Sequence, residues 1–180
     1  VVLKNSHELA YRAITKEGSD AVYPFGCGIY QWAVTYSDIL LDKFLSSHDG
    51  TDADYEVLKD AKVRIPSSIG WGQMITKSCE ISAGLWNEEF LSWGAEDCEF
   101  YYRLNLFGFK VGRVIDDIYH FEHGRTFNSH YHNPKFQDND RLWNWIRTQD
   151  KESLTQYYAK LDYIKPVSYT HLRAHETKAN

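Results

Sequence analysis

The hydrophobic period of this chain switches repeatedly between roughly 3.6 residues and roughly two, and that switching limits the fold more than any single motif does. "SHELAYRAITKEG" reads as a helix, with Ser6 as N-cap, an apolar stripe at Leu9, Ala10, Ala13 and Ile14, and Gly18 as the stop. "DAVYPF" and "IYQWAVT" are strand-like runs separated by Gly26 and Gly28. "SDILLDKFLSS" predicts a second helix capped by Ser37, with Ile39, Leu40, Phe44 and Leu45 on one face. "GWGQMITK" predicts a strand after a turn at Pro66, and "KSCEIS" a short helix. "AGLWNEEFLSWG" reads as a loop with aromatic anchors. A helix over 96–107 follows, closed by Gly108 as a left-handed cap, with Phe100, Tyr101, Leu104 and Phe107 buried. "FKVGRVI" and "IYHF" are further strands. The polar run "EHGRTFNSHYHNPKFQDND" is long enough to be a candidate lid, and two helices close the chain. Such alternation predicts an α/β layered domain.

Composition narrows the class. A length of 180 residues allows one domain with a substantial core. Six Trp and 13 Tyr make many rings that must sit half-buried or line a cleft. A net charge of −5 argues against nucleic acid as the main partner, since phosphate binding wants a basic face. Cys27, Cys79 and Cys98 show neither metal spacing nor a disulfide framework, which fits a reducing compartment.

Both ends read as non-native boundaries. Residue 1 is Val, inside what reads as a helix. "VSYTHLRAHET", 167–177, resembles a reading frame through a transposase-based sequencing adapter, so 167–180 is set aside as a non-native tail and 1–166 is taken as the domain. Without that tail the chain is one charge more negative and keeps six of its eight His.

The chemistry concentrates in "LSWGAEDCEFYYRL". Glu96 and Asp97 stand in the first turn of a helix, where acids favour the macrodipole by ~0.3–1 kcal/mol. That is their plain structural explanation. Trp93, Gly94 and Ala95 leave no bulky side chain between an indole and two carboxylates. An indole face beside a carboxylate makes a platform for a sugar, with ring C–H groups on the aromatic and hydroxyls on the acid.

Taken together, "GWGQMITKSCEISAGLWNEEFLSWGAEDCEFYYRLNLFGFKVGRV" resembles the second half of a GT-A glycosyltransferase. It is similar to the galactosyltransferase C-terminal domain (family 7 C-terminal type) found in bacterial family 2-type enzymes. The matching elements are Gly70-Trp71-Gly72, Lys77, Ala83-Gly84, Asn87-Glu88, Phe90, Trp93 to Asp97, Gly108 and "HFEH", over about residues 20 to 160. "AVYPF" resembles the segment that follows the metal-binding acids in these enzymes.

The resemblance implies the C-terminal, acceptor- and metal-side half of a GT-A (nucleotide-diphospho-sugar transferase, Rossmann-like) fold. The activity implied is metal-dependent transfer of a hexose or N-acetylhexosamine from a UDP-sugar to a glycan or polysaccharide acceptor. Asp97 would be the catalytic base, and Glu96, Trp93 and Gly94 would hold the acceptor. Gly70, Trp71, Gly72 and Arg125 would face the donor. His123 and His120 would bind Mn²⁺ or Mg²⁺. Related retaining enzymes carry Asn where Asp97 stands, so Asp favours inversion. The setting implied is the cytoplasm of a bacterium, at the inner membrane face, in polysaccharide biosynthesis.

Each assignment has a plainer alternative. Residues three apart on a strand point to opposite faces, so His120 and His123 reach one ion only if the backbone turns, as Gly124 would permit. A core or surface pair is the commoner meaning of such spacing. The Gly70–Gly72 run also suits a strand bulge, and Arg125 a solvated loop, as do His130 and His132. Asp52-Ala53-Asp54 has the letters of a metal motif but lies in a polar loop with no strand before it. The true Asp-x-Asp is therefore expected upstream of Val1. The rival functions are a carbohydrate-binding module without catalysis and a metal hydrolase.

Overall fold

The computed structural model describes residues 1–49, 52–65 and 69–161. The expected turn at Pro66 and the expected tail at 167–180 lie outside the described residues. The chain divides into two compact units, one of Val1–Met74 with Gly112–Gly124, the other of Ile75–Val111 with the chain from Arg125 onward. Helices and small sheets mix throughout, as the changes of period predict, and the class is α/β.

The first unit holds helix α1 (Lys4–Thr15), strands β1 (Ala21–Tyr23) and β2 (Gln31–Thr35), and helix α2 (Asp38–Ser46). Strands β3 (Lys62–Arg64), β4 (Met74–Ile75), β5 (Val111–Arg113) and β6 (Ile118–Glu122) complete two three-stranded sheets, ordered β4-β1-β5 and β3-β2-β6. Strand β2 pairs parallel with β6, Gln31 opposite Ile118 and Thr35 opposite Glu122, and antiparallel with β3. This register puts Val34 and Tyr119 into a core with Phe44 and Leu58. Tyr55 stacks on Tyr119 at 5.1 Å within it.

Local chemistry explains several boundaries and corrects others. Ser37 caps α2, its hydroxyl accepting the Leu40 amide at 3.1 Å. Ser6 is not a cap. Helix α1 starts earlier, after Leu3, and Ser6 is buried in its first turn, donating to Asp116 at 2.6 Å. The predicted stripe of α2 is only partly inward. Phe44 is buried, whereas Ile39 is 83% exposed and Leu45 60%. The predicted strand over 70–77 shrinks to Met74–Ile75.

The second unit holds helices α3 (Lys77–Ser82), α4 (Glu96–Phe107), α5 (Phe136–Ile146) and α6 (Lys151–Tyr158). Helix α4 has the predicted bounds, and Gly108 closes it at φ 85°. Phe100 and Leu104 are fully buried. So are Glu99 and Arg103, which sequence reasoning did not place inside. Arg103 forks onto Glu99, Nε to Oε1 at 2.7 Å and Nη2 to Oε2 at 3.0 Å. Its Nη1 donates to the Ala83 carbonyl, and the Tyr158 hydroxyl donates to Glu99. Asn87 donates to the Tyr158 hydroxyl at 3.2 Å. Burial, more than any neighbour, pushes the Tyr158 hydroxyl far above its ordinary pKa, so it serves as a permanent donor.

The expected lid also contracts. Residues 127–129 form a 3-10 turn and α5 begins at Phe136, inside the polar run. Asn133 and Asn139, both within that polar run, are buried.

Breaking one partner of the Glu99–Arg103 pair leaves a charge stranded in the core. Arg103→Met should lower unfolding stability by about 3–5 kcal/mol in urea denaturation. The double change Glu99→Leu with Arg103→Met should cost clearly less than that single change.

Candidate functional site

The loop entering α4 carries unusual backbone strain. Leu85, Ser92 and Ala95 have φ of 59°, 68° and 65°, and Gly94 has φ of 139°. Non-glycine residues pay roughly 1–3 kcal/mol for such conformations, so the surroundings must impose them. Here they do. Asn139 of α5 accepts the Leu91 amide and donates to the Leu91 carbonyl, both at 3.1 Å, and donates to the Trp93 carbonyl at 3.3 Å. Asn133 donates to the Ser92 hydroxyl, which itself donates to the Asn128 carbonyl at 2.6 Å. The Trp93 amide donates to that same carbonyl at 3.3 Å. Gly94 sits at φ 139°, where a side chain is strained, and a Cβ there would also crowd Phe136 at 3.1 Å.

This bracing presents Trp93, 38% exposed, with its ring stacked on Phe136 at 5.5 Å and 16°. The Arg125 guanidinium lies 5.5 Å from the centre of the same ring. Arg125, expected on the donor side, is thus a neighbour of the predicted acceptor platform. A small cavity of about 240 Å³ adjoins it, lined by Arg125, Thr126, Phe127, His130, Tyr131 and His132. His130 and His132 pack around Tyr131. Desolvation, with smaller contributions from His132 and Arg125, holds the His130 imidazole below its ordinary pKa.

The acid pair follows immediately. Ala95 offers no side-chain cap, and Glu96 turns back so that its carboxylate accepts the Gly94 amide at 2.7 Å. Among the described residues no hydrogen-bond donor reaches Asp97. Burial first, and the Glu96 charge second, raise its carboxyl to about 6. The helix dipole pulls the other way, and burial wins. Asp97 is a half-buried carboxylate that meets no donor among the described residues, the state a general base needs.

The first unit carries the other predicted group. Strand β6 ends at Glu122, so His123 already stands beyond the pleat. The two imidazoles therefore meet despite their odd spacing, with ring centres 5.6 Å apart. His120 Nδ1 lies 3.0 Å from Glu122 Oε1, and His123 Nδ1 lies 3.2 Å from the Gly124 carbonyl. Oxygen partners on Nδ1 leave each Nε2 for a ligand, the arrangement metal-binding histidines commonly show. Trp71 stacks on His120 at 5.0 Å and 17° and fixes its ring. Gly70 is exposed, and a Cβ at Gly72 would meet nothing within 4 Å, so that stretch is open to a ligand.

Two imidazoles are fewer than the roughly four to six ligands a divalent cation takes. Among the described residues no third His, Cys, Asp or Glu joins them. Asp52 and Asp54 have local duties. Asp52 accepts from the Tyr55 hydroxyl at 3.1 Å, and Asp54 caps the turn at Tyr55–Leu58. A larger cavity of about 610 Å³ in the first unit, bounded by His7, Phe44, His48 and Tyr55 among others, contains none of the predicted site residues.

No family model, curated protein or solved structure matches the chain. The class its own architecture defines is α/β.

The state of Asp97 has a measurable consequence. An unfolded aspartate titrates near 3.8 and the folded one near 6, so the folded state holds the proton more tightly. Stability contributed by that proton is present below about pH 4, falls as pH rises to about 6, and is lost above that. Asp97→Asn should therefore stabilise the protein by about 1 kcal/mol at neutral pH, solvent screening having trimmed the larger value the shift alone would give. The gain should vanish near pH 4, as followed by denaturation at both pH values.

Proposed function

We propose that the chain is the acceptor- and metal-side half of a GT-A glycosyltransferase. It would move a hexose or N-acetylhexosamine from a UDP-sugar to a glycan or polysaccharide acceptor, with inversion at the anomeric carbon. The observation that carries this reading is the Asp97 carboxylate, raised to about 6 with no hydrogen-bond donor among the described residues, four positions after a Trp93 ring held out by strained backbone. The resemblance of the motif order in 70–123 supports the same reading.

Asp97 accepts the proton of the acceptor hydroxyl as that oxygen attacks the anomeric carbon opposite the leaving UDP. The new C–O bond forms while the bond to the diphosphate breaks. A value near 6 leaves Asp97 ionised at neutral pH yet more basic than an ordinary aspartate. Trp93 carries one face of the acceptor ring, and Glu96 keeps lone pairs for its hydroxyls while anchored on Gly94. His123 and His120 would hold Mn²⁺ or Mg²⁺, which would neutralise charge on the departing diphosphate. Arg125 can pair with a phosphate oxygen on release from the indole. Among the described residues no helix is long and apolar enough to cross a membrane. The reading places the reaction in the cytoplasm, in bacterial polysaccharide assembly at the inner membrane face.

A non-catalytic carbohydrate-binding module is the second reading, favoured by one feature: the bracing of Trp93 does not involve Asp97. The two separate cleanly. Asp97→Asn in the full-length protein should cut UDP release and sugar transfer from UDP-hexoses by about 10²–10⁴-fold with Mn²⁺ present. Wild-type kcat/KM should fall tenfold per pH unit below about 6. Undiminished transfer by the variant would remove the catalytic role and leave the binding module.

A further inference from the structure

Asn139 has the connections of a residue built for one purpose. It is 1% exposed, on a helix whose sequence reads as polar. Its backbone amide makes the ordinary helical bond to the Lys135 carbonyl, but its side-chain amide reaches out of the helix. Instead, Oδ1 takes the Leu91 N–H, and Nδ2 serves both the Leu91 and Trp93 carbonyls. The side chain thus imitates a neighbouring strand, filling the donor and acceptor of one residue and the acceptor of a second. Between and beyond those two residues lie the positive φ values of Ser92, Gly94 and Ala95. A strained loop relaxes unless something outside it holds both ends, and Asn139 holds the end that carries the indole. Gly94 belongs to the same device, since a Cβ there would crowd Phe136, the first residue of the helix that carries Asn139.

We infer that Asn139 is the positioning residue for the Trp93 platform, setting the indole's angle without touching substrate. This rests on the sugar-platform reading of Trp93 for its purpose, but its test needs no sugar, so the two can fail separately. Asn139→Ala should speed hydrogen exchange of the Leu91 amide at least tenfold. It should also shift the Trp93 part of the fluorescence to the red and raise its quenching by acrylamide, taken as the difference from a Trp93→Phe protein. Amides within α4 should keep native protection. Asn139→Asp keeps the acceptor for the Leu91 N–H and loses the Nδ2 donors. It should therefore protect the Leu91 amide while still shifting Trp93 emission. Asn144→Ala, on the same helix with its amide bonded to Asp140 Oδ2 at 3.0 Å, should change neither signal. Unchanged exchange and emission in Asn139→Ala would overturn the inference. So would opening of α4 together with the loop, which would make Asn139 merely part of the core.

Discussion

The second unit depends on the ion pair between Glu99 and Arg103. Two charges with no solvent access cost several kcal/mol each in lost hydration. They persist because every polar atom is occupied: the fork between them, the Ala83 carbonyl, and the Tyr158 hydroxyl. Those partners come from different parts of the unit. One ends α3, one lies on α6, and Asn87 links Tyr158 to the loop between α3 and α4. The guanidinium also stacks over Phe100 at 5.0 Å and Tyr158 at 4.2 Å, which matches its flat, weakly hydrated faces. A lysine would satisfy neither the fork nor the stacking. The pair therefore fixes the rotation of α4, and with it the direction in which the helix's first turn faces.

That first turn is where stability is spent. Positive φ at Ser92 and Ala95, and a half-buried Asp97 carboxylate with no donor among the described residues, each oppose folding. Buried asparagines on and before α5 offset the backbone strain, and Glu96 replaces the missing cap. Such local cost beside a well-satisfied core is how proteins hold reactive groups in place. The histidine pair of the first unit is less strained. Its rings are set by Trp71 stacking and by oxygen partners on Nδ1.

The legible parts of the sequence were those decided locally. Helix α4 and its Gly108 cap, the Ser37 cap, and α3 follow from short-range chemistry and appear at the predicted residues. The buried Glu99–Arg103 pair was hidden because an acid and a base four apart look the same whether they face water or a core. Asn133 and Asn139 were hidden for a similar reason, since the loop residues they hold, Ser92 and Leu91, lie 41 and 48 positions away. Only the tertiary arrangement shows that a polar run supplies backbone-like hydrogen bonds to a distant loop. Ile39 and Leu45 failed in the opposite sense. Their spacing suits a helix face, but α2 buries Phe44 and half-buries Leu40 and leaves the other two in solvent. Strand β3 escaped notice because "KVR" is too short and too charged to show a period.

Three carboxylates occupy the start of α4 and meet the same helix dipole, yet they end in three different states. Glu99 is inside, with both oxygens paired and no exposed surface, so it cannot be reached from solvent. Glu96 has committed an oxygen to the Gly94 amide, which makes it suited to holding rather than to exchanging a proton. Of the three, Asp97 combines partial burial, an adjacent negative charge and no donor among the described residues. A base must be ionised at working pH and still favour the proton once a hydroxyl is pressed against it. Of the three, the sequence named two as a pair without separating them. The difference arises from where each side chain leaves the helix: backward to the strained loop for Glu96, into a half-buried position for Asp97, or inward to Arg103 for Glu99. Rotating α4 by one residue would exchange those fates, which is why the ion pair in the core and the states of the acids at the helix start are one problem.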